Sequence, residues 1–352
     1  MKVVGRASRP PRRTSRLSSV GIVLLFLIVL PFIDTNQYHI DVLTTSGIYV
    51  TLALGLNVVV GFAGLLNLGY AAFFAIGAYT YALMNLYFRW PFWAVLPVSA
   101  VSGALFGVLL GFPTLRLRGD YLAIVTLGFG EIVRITFNNL EWTGGPNGLL
   151  GIAHPTLIFP SRLDWSHLNV FNFGVKSLPY YYLVLGMVIV VAFLLMRLDN
   201  SRLGRAWIAI REDEVAAATM GIDPTRLKLL AFVIGSAIAG VAGCVFAGKQ
   251  GTITPDSFDF ILSVMLLAMV VLGGLGSIPG VIIGAIILSV LPELLRGFAI
   301  YRMLFFGLSM VLIMIFRPQG IVGSLRRKME LKPSTEKIRL EEDEVLDEDR
   351  RK

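Results

Sequence analysis

One cysteine in 352 residues, Cys244, excludes an intrachain disulfide framework. Histidine is nearly as scarce. His39, His154 and His167 lie far apart, and with a single cysteine they offer no zinc-ligand spacing. No Ser-His-Asp set can be argued from spacing either, so the sequence carries no visible catalytic machinery and implies no cofactor and no metal. Charge is also thin, at 15% of residues against about 25% in soluble domains. That shortage excludes an ordinary soluble fold.

What fills the gap is apolar. Hydrophobic residues make up 55% of the chain and the mean hydropathy is +0.74. Apolar runs of about 18 residues or more recur along its length, which predicts an all-α, polytopic membrane protein. The 36 glycines suit close helix packing in lipid, where small residues let backbones approach. The net charge of +8 does not point to nucleic acid, because the basic residues cluster beside hydrophobic runs, as membrane orientation requires.

The first apolar run, "LSSVGIVLLFLIVLPFI", follows a basic segment holding Lys2, Arg6, Arg9, Arg12, Arg13 and Arg16. No small-residue cleavage site follows it, so it reads as a retained span rather than a signal peptide. Further spans are expected near 46–60, 64–87, 91–112, 121–137, 179–196, 229–248, 260–273, 279–297 and 303–316, about ten in all. Arg116, Arg118, Arg197, Arg202, Arg205, Arg211, Arg226, Lys228, Arg317, Arg326, Arg327 and Lys328 then face the cytoplasm. Arg296 and Arg302 run against this rule by flanking an outside turn. The expected organisation is a basic cytoplasmic N-terminus (1–16), a transmembrane region (17–323) and a charged cytoplasmic tail (324–352). The tail ends in "EEDEVLDEDRRK" and has no apolar periodicity, so it is expected to be disordered. A loop at 197–228 is placed inside, a segment at 138–178 outside, and both termini in the cytoplasm.

Two stretches share a spacing. "LGYAAFFAIGA" (68–78) and "LGSIPGVIIGA" (275–285) both read Leu-Gly, seven residues, Gly-Ala. Transporters are often built from internal repeats, with substrate handled where interrupted helices meet, and the span count makes these two helices parallel. Two nucleotide-like motifs fail. "GCVFAGKQ" (243–250) puts Gln250 where a phosphate loop needs Ser or Thr, and "GGLGSIPG" (273–280) has Pro279 and no preceding strand.

Polar residues inside apolar runs are the remaining candidates. Asn57 and Asn67 serve either as interhelical glue or as substrate ligands. Glu131 and Arg134 stand three apart, on one helix face, and read as a self-neutralising pair or as part of a gate.

The segment "SRLGRAWIAIREDEVAAATMGIDPTRLKLLAF" (201–232) predicts a short helix between two spans. Glu214 to Ala218 favour helix, Gly221 can end one in the left-handed conformation, and Pro224 follows. Small side chains would seat closely in a cleft, whereas Leu203, Trp207 and Ile210 would suit an interfacial helix.

"EVAAATMGI" resembles the coupling loop of ABC importer permeases, the short helix that docks on the ATPase. "GLNVVVGFAGLLNLGYAAFFAIGAY" (55–79), "LRLRGDYLAIVTLGFGEIVRI" (115–135) and "GGLGSIPGVIIGAIILSVLPELLR" (273–296) resemble the branched-chain amino acid permease family, and most of all the longer of its two partner permeases. The resemblance spans roughly 45 to 323. It implies a cell-membrane complex of two permeases, two ATPases and an extracytoplasmic binding protein, importing leucine, isoleucine or valine. It also assigns ATPase coupling to the 205–224 helix, through Arg211, Glu214, Ala216, Ala217 and Gly221. Leu65, Asn67 and Tyr70 depart from the family pattern, which favours Gln, Ser and His there. Permeases for urea or short amides share much of the pattern and stay open as the alternative. An ATP-independent carrier would have no use for a docking helix.

Overall fold

The computed structural model describes residues 29–31, 36–114, 117, 119–155, 177–294 and 307. Its main helices are α1 (Gln37–Asn57), α2 (Tyr70–Phe88), α3 (Phe92–Thr114), α4 (Asp120–Asn139), α5 (Ser177–Asp199), α6 (Arg202–Glu212), α7 (Glu214–Thr219), α8 (Pro224–Gln250), α9 (Phe260–Gly273) and α10 (Ile278–Leu294), all but α6 and α7 built on sustained apolar runs. The only strands among the described residues are β1 (Leu149–Leu150) and β2 (Thr252–Ile253), an antiparallel pair with Leu149 opposite Ile253. The protein is all-α and crosses a membrane several times.

Eight of the ten expected spans fall on α1–α5 and α8–α10. The expected spans at 17–33 and 303–316 lie almost wholly outside the described residues, as does the tail. Among the described residues, six helical stretches are long and apolar enough to cross a bilayer, including Gln37–Phe62, Pro224–Gln250 and Pro255–Gly273. The helix α4 is not one of the six, and Ile278–Glu293 is apolar but short.

Two span starts differ clearly from the expected ones: α1 begins at Gln37 rather than 46, and the next span is also displaced. That span is expected from 64, but α1 continues as a π-helical turn over Val58–Phe62 and regular helix resumes only at Tyr70. Residues 63–69 are irregular yet mostly buried. Irregular backbone is tolerated at membrane depth only where protein surrounds it, which apolar periodicity cannot reveal.

Small residues set the packing. Cβ atoms added at Gly77, Gly103 and Gly240 would collide with the backbone of Gly240, Ser236 and Ser99 respectively, so α2, α3 and α8 touch backbone to backbone. Such contacts replace the hydrophobic drive that lipid removes. The first helix packs against α5, α8 and α10, with Ser46 Oγ and Ser289 Oγ 2.5 Å apart. In α8, Asp223 caps the N-terminus, Pro224 fills the first turn and Gly251 closes the end at φ 66°.

The two ends of the bundle differ. At one end Tyr81 Oη donates to the Ala153 carbonyl (2.6 Å), Tyr180 Oη to that of Gly248 (2.9 Å) and Tyr87 Oη to that of Trp142 (3.1 Å). Tyr87, Phe88, Trp90, Trp93 and Trp142 are exposed around it, as in the aromatic belt of a membrane–water interface. The other end carries residues 57–69, 199–223 and 274–277, with Arg197, Arg202, Arg205, Arg211, Arg226 and Lys228. Among the described residues the aromatic end has Arg89, Arg134 and Lys249, of which Arg134 and Lys249 pair with carboxylates.

Candidate functional site

Two interrupted helices meet at the basic end of the bundle. The helix α9 ends at Gly273, and a turn at 274–277 separates it from α10. Asn57, at the last position of α1, accepts a hydrogen bond on Oδ1 from the Gly276 N–H (2.9 Å) and so ties the first break to the second. A Cβ at Gly276 would stand 3.3 Å from the Gly61 carbonyl oxygen, and its φ of 83° already requires glycine.

Beyond the irregular stretch, the open N-terminus of α2 is satisfied by side chains. Asn67 Oδ1 accepts from the Gly69 N–H (2.9 Å), Thr126 Oγ1 from that of Leu68 (3.0 Å) and Ser263 Oγ from that of Ala71 (3.0 Å). Both asparagines are fully buried, and neither Nδ2 finds a partner among the described residues. The two echoed stretches, 68–78 and 275–285, therefore both open a helix just after a break. The second also opens on a side-chain cap, Ser277 Oγ accepting from the Gly280 N–H.

Glu131 and Arg134 come together with an N–O separation of 3.0 Å on α4. Arg134 also reaches Asp256 at 3.2 Å, a partner the sequence does not suggest because it is 122 residues away. Each side chain of the Glu131–Arg134 pair is about one third exposed, so solvent weakens the attraction. Beside them a shallow notch is lined by Leu68, Gly130, Glu131, Asp259, Phe260 and Ser263.

The loop between α5 and α8 holds two helices where one is expected over 205–224. Ser201 caps α6, accepting from the Leu203 and Gly204 N–H groups, and Asp213 ends α6 and caps α7 through the Val215 and Ala216 N–H groups. The extended backbone of Asp213 splits the helix, because an aspartate there satisfies two amides that a continuous helix would bond internally. The C-terminus of α7 closes with two backbone bonds: Gly221 N–H to the Ala218 carbonyl and Ile222 N–H to that of Ala217. With Gly221 at φ 82°, this is the left-handed stop expected there.

The side chains of this loop divide by direction. Trp207 is fully buried; its Nε1–H donates to the Leu227 carbonyl (2.7 Å) and its ring stacks on Phe62 at 6.4 Å and 12°. Four residues on, Arg211 Nη1 donates to the Gly61 carbonyl (2.5 Å). Glu214 pairs with Lys228 at 2.7 Å. Ala217 is buried and Ala216 exposed, with Val215 and Met220 exposed at 65% and 82%. The arrangement is a small, capped, rigid knob (α7) offered to solvent and pinned to the bundle from beneath. Sequence reasoning missed Phe62, Lys228 and Gly276, although the buried position of Lys228, one turn inside α8, hints that it has a carboxylate partner.

The failed phosphate-loop motif is ordinary helix, the last two turns of α8.

The family described as branched-chain amino acid transport system / permease component matches residues 38–314. The high-affinity branched-chain amino acid transport system permease protein LivM of Salmonella typhimurium is 50% identical over 323 residues, covering 88% of this chain and 76% of its own length. LivM of Escherichia coli (strain K12) matches to the same extent. LivH of the same strain is 26% identical over 319 residues, 87% of this chain and 99% of its own. No solved structure matches. Matched by the family model over most of its length and half identical to LivM, the chain belongs to the branched-chain amino acid permease family.

Proposed function

We propose that this chain is the translocating subunit of an ATP-driven importer for branched-chain amino acids. It would line the pathway with a second, homologous permease and dock two ATPase subunits through α6 and α7. A binding protein would deliver leucine, isoleucine or valine to the aromatic end, which is then the outside. The basic end, both termini and the 197–228 loop face the cytoplasm in this reading, with the segment at 138–178 outside.

The observation that carries the proposal is the α6–α7 knob. A connection between spans needs no side-chain cap at its start, no second cap at Asp213 and no left-handed glycine stop. A part that must transmit a push needs all three, because each removes a way for the helix to fray. Ala216, with Val215 and Met220, presents a low-charge exposed surface suited to a cleft, while Glu214, Ala217 and Gly221 hold the knob in shape. Asn57 and Asn67 bond at the broken helices, where substrate is handled in transporters built this way, and Glu131, paired with Arg134 towards the aromatic end, shares a notch with Leu68.

The test is purification of the chain from cells that express the partner subunits. An ATPase should copurify, and its hydrolysis should rise when leucine-loaded binding protein is added. Stimulation by urea-loaded or amide-loaded binding protein instead would move the substrate class, and absence of any ATPase would overturn the reading.

A further inference from the structure

Trp207 and Arg211 stand one turn apart on α6, and both grip the π-helical turn of α1. The Trp207 ring lies nearly parallel to that of Phe62, offset with centroids 6.4 Å apart. The Arg211 guanidinium donates to the carbonyl of the preceding residue, Gly61, and its stem passes so close to Gly64 that a Cβ there would come within 2.8 Å of its Cγ. The break before α10 meets the same place: Gly276 donates to Asn57, just before the π turn, and a Cβ at Gly276 would lie 3.3 Å from the Gly61 carbonyl oxygen and 3.4 Å from Arg211 Nη1. One side chain from the loop thus reaches both interrupted helices at the point where they touch.

A π turn leaves carbonyls short of their usual partners and often marks a functional position. Here one of them is satisfied by a charged donor from another element. Such a bond is stronger than a neutral one and depends on where α6 sits. Displacing α6 would pull on Gly61 or release it, and with it the Asn57–Gly276 bond. The exposed surface of α7 contributes to no part of this path.

We propose that Arg211 is a positioning residue that acts as a strut, transmitting displacement of the α6–α7 knob to the paired breaks at Gly61 and Gly276, and that it is not itself an ATPase contact. The inference rests on the importer reading above and assigns the residue that links the docking knob to the pathway.

The experiment compares R211M and R211K with the unaltered chain in the purified complex reconstituted into vesicles. Methionine keeps most of the stem's packing but cannot donate to Gly61; lysine keeps a donor on a shorter head. The readouts are ATPase retained per permease and leucine transported per ATP hydrolysed. The expected result for R211M is unaltered ATPase retention with transport per ATP lower by about tenfold, inside the range usual for coupling between sites. R211K should fall between. A role in structure alone would reduce the amount of complex, not the ratio. Loss of the ATPase from R211M would make Arg211 a docking contact and overturn the strut while leaving the importer reading intact. Full coupling in R211M would also overturn it. If R211M fails to assemble, R211K decides: its transport per ATP must fall by about threefold or more, and an unaltered ratio refutes the strut. A complex of the unaltered chain that carries no ATPase defeats the importer reading itself, which separates the two failures.

Discussion

Glu214 and Lys228 are joined by an ion pair of 2.7 Å that fastens the first residue of α7 to the first turns of α8. Lys228 is only 8% exposed and Glu214 about a third. Removing one member of a buried pair leaves the other uncompensated, and partial exposure of Glu214 moderates the cost to about 1–2 kcal/mol. Glu214→Lys adds repulsion and should release α7, with cleavage by protease at 212–222 increasing and ATPase retention falling. The double change E214K/K228E should recover much of both. No recovery would show that Glu214 works through a contact outside this chain.

Gly221 holds φ at 82° with open space where a Cβ would stand. Its substitution therefore fails through backbone strain of about 1 kcal/mol or more rather than through collision. Gly221→Val should keep normal membrane abundance but lose ATPase retention and uptake, while Gly221→Asn, which tolerates the left-handed region, should keep most of both. Equal loss in the two variants would argue against the conformational explanation.

For Glu131 the second partner of Arg134 changes what to expect. Glu131→Gln leaves Arg134 paired with Asp256, so assembly should fall only modestly. Exchanging Glu131 and Arg134 would set a carboxylate against Asp256, and the exchange should recover function only when combined with D256N. Recovery without D256N would contradict the three-member arrangement.

Cys244 is fully buried, so introduced cysteines can be labelled against little background. Val215→Cys and Leu150→Cys both replace exposed side chains, at 65% and 66%, at opposite ends of the bundle. In intact cells an impermeant thiol reagent should label position 150 and spare 215. The reverse pattern would invert the orientation.

Much of this was legible in the sequence, and the remainder fails for identifiable reasons. Helices such as α9, expected at 260–273 and found there, are readable because their apolar runs end at aspartate or glycine. The Gly221 stop follows from local chemistry that one residue type controls. The break at 63–69 was not readable, since "AGLLNLG" is as apolar as the helices beside it and only the surrounding protein makes it irregular. The split at Asp213 looks obvious afterwards, yet the same aspartate in a solvated helix would have passed unremarked. The distances 134–256, 57–276 and 61–211 along the chain explain why Asp256, Gly276 and the Gly61 carbonyl stayed invisible: sequence spacing reports neighbours within an element and says nothing of who lies across it.

In the proposed function this permease moves a branched-chain amino acid at the expense of ATP hydrolysed by subunits docked on α6 and α7. The most direct measurement is uptake of labelled leucine into vesicles containing the purified complex, with binding protein outside and ATP inside. Leucine should accumulate against a gradient in a manner that needs ATP, is competed by isoleucine and valine but not by urea, and disappears in Gly221→Val. Leucine that equilibrates without ATP, or accumulation that survives the loss of the docked ATPase, would contradict the proposed function.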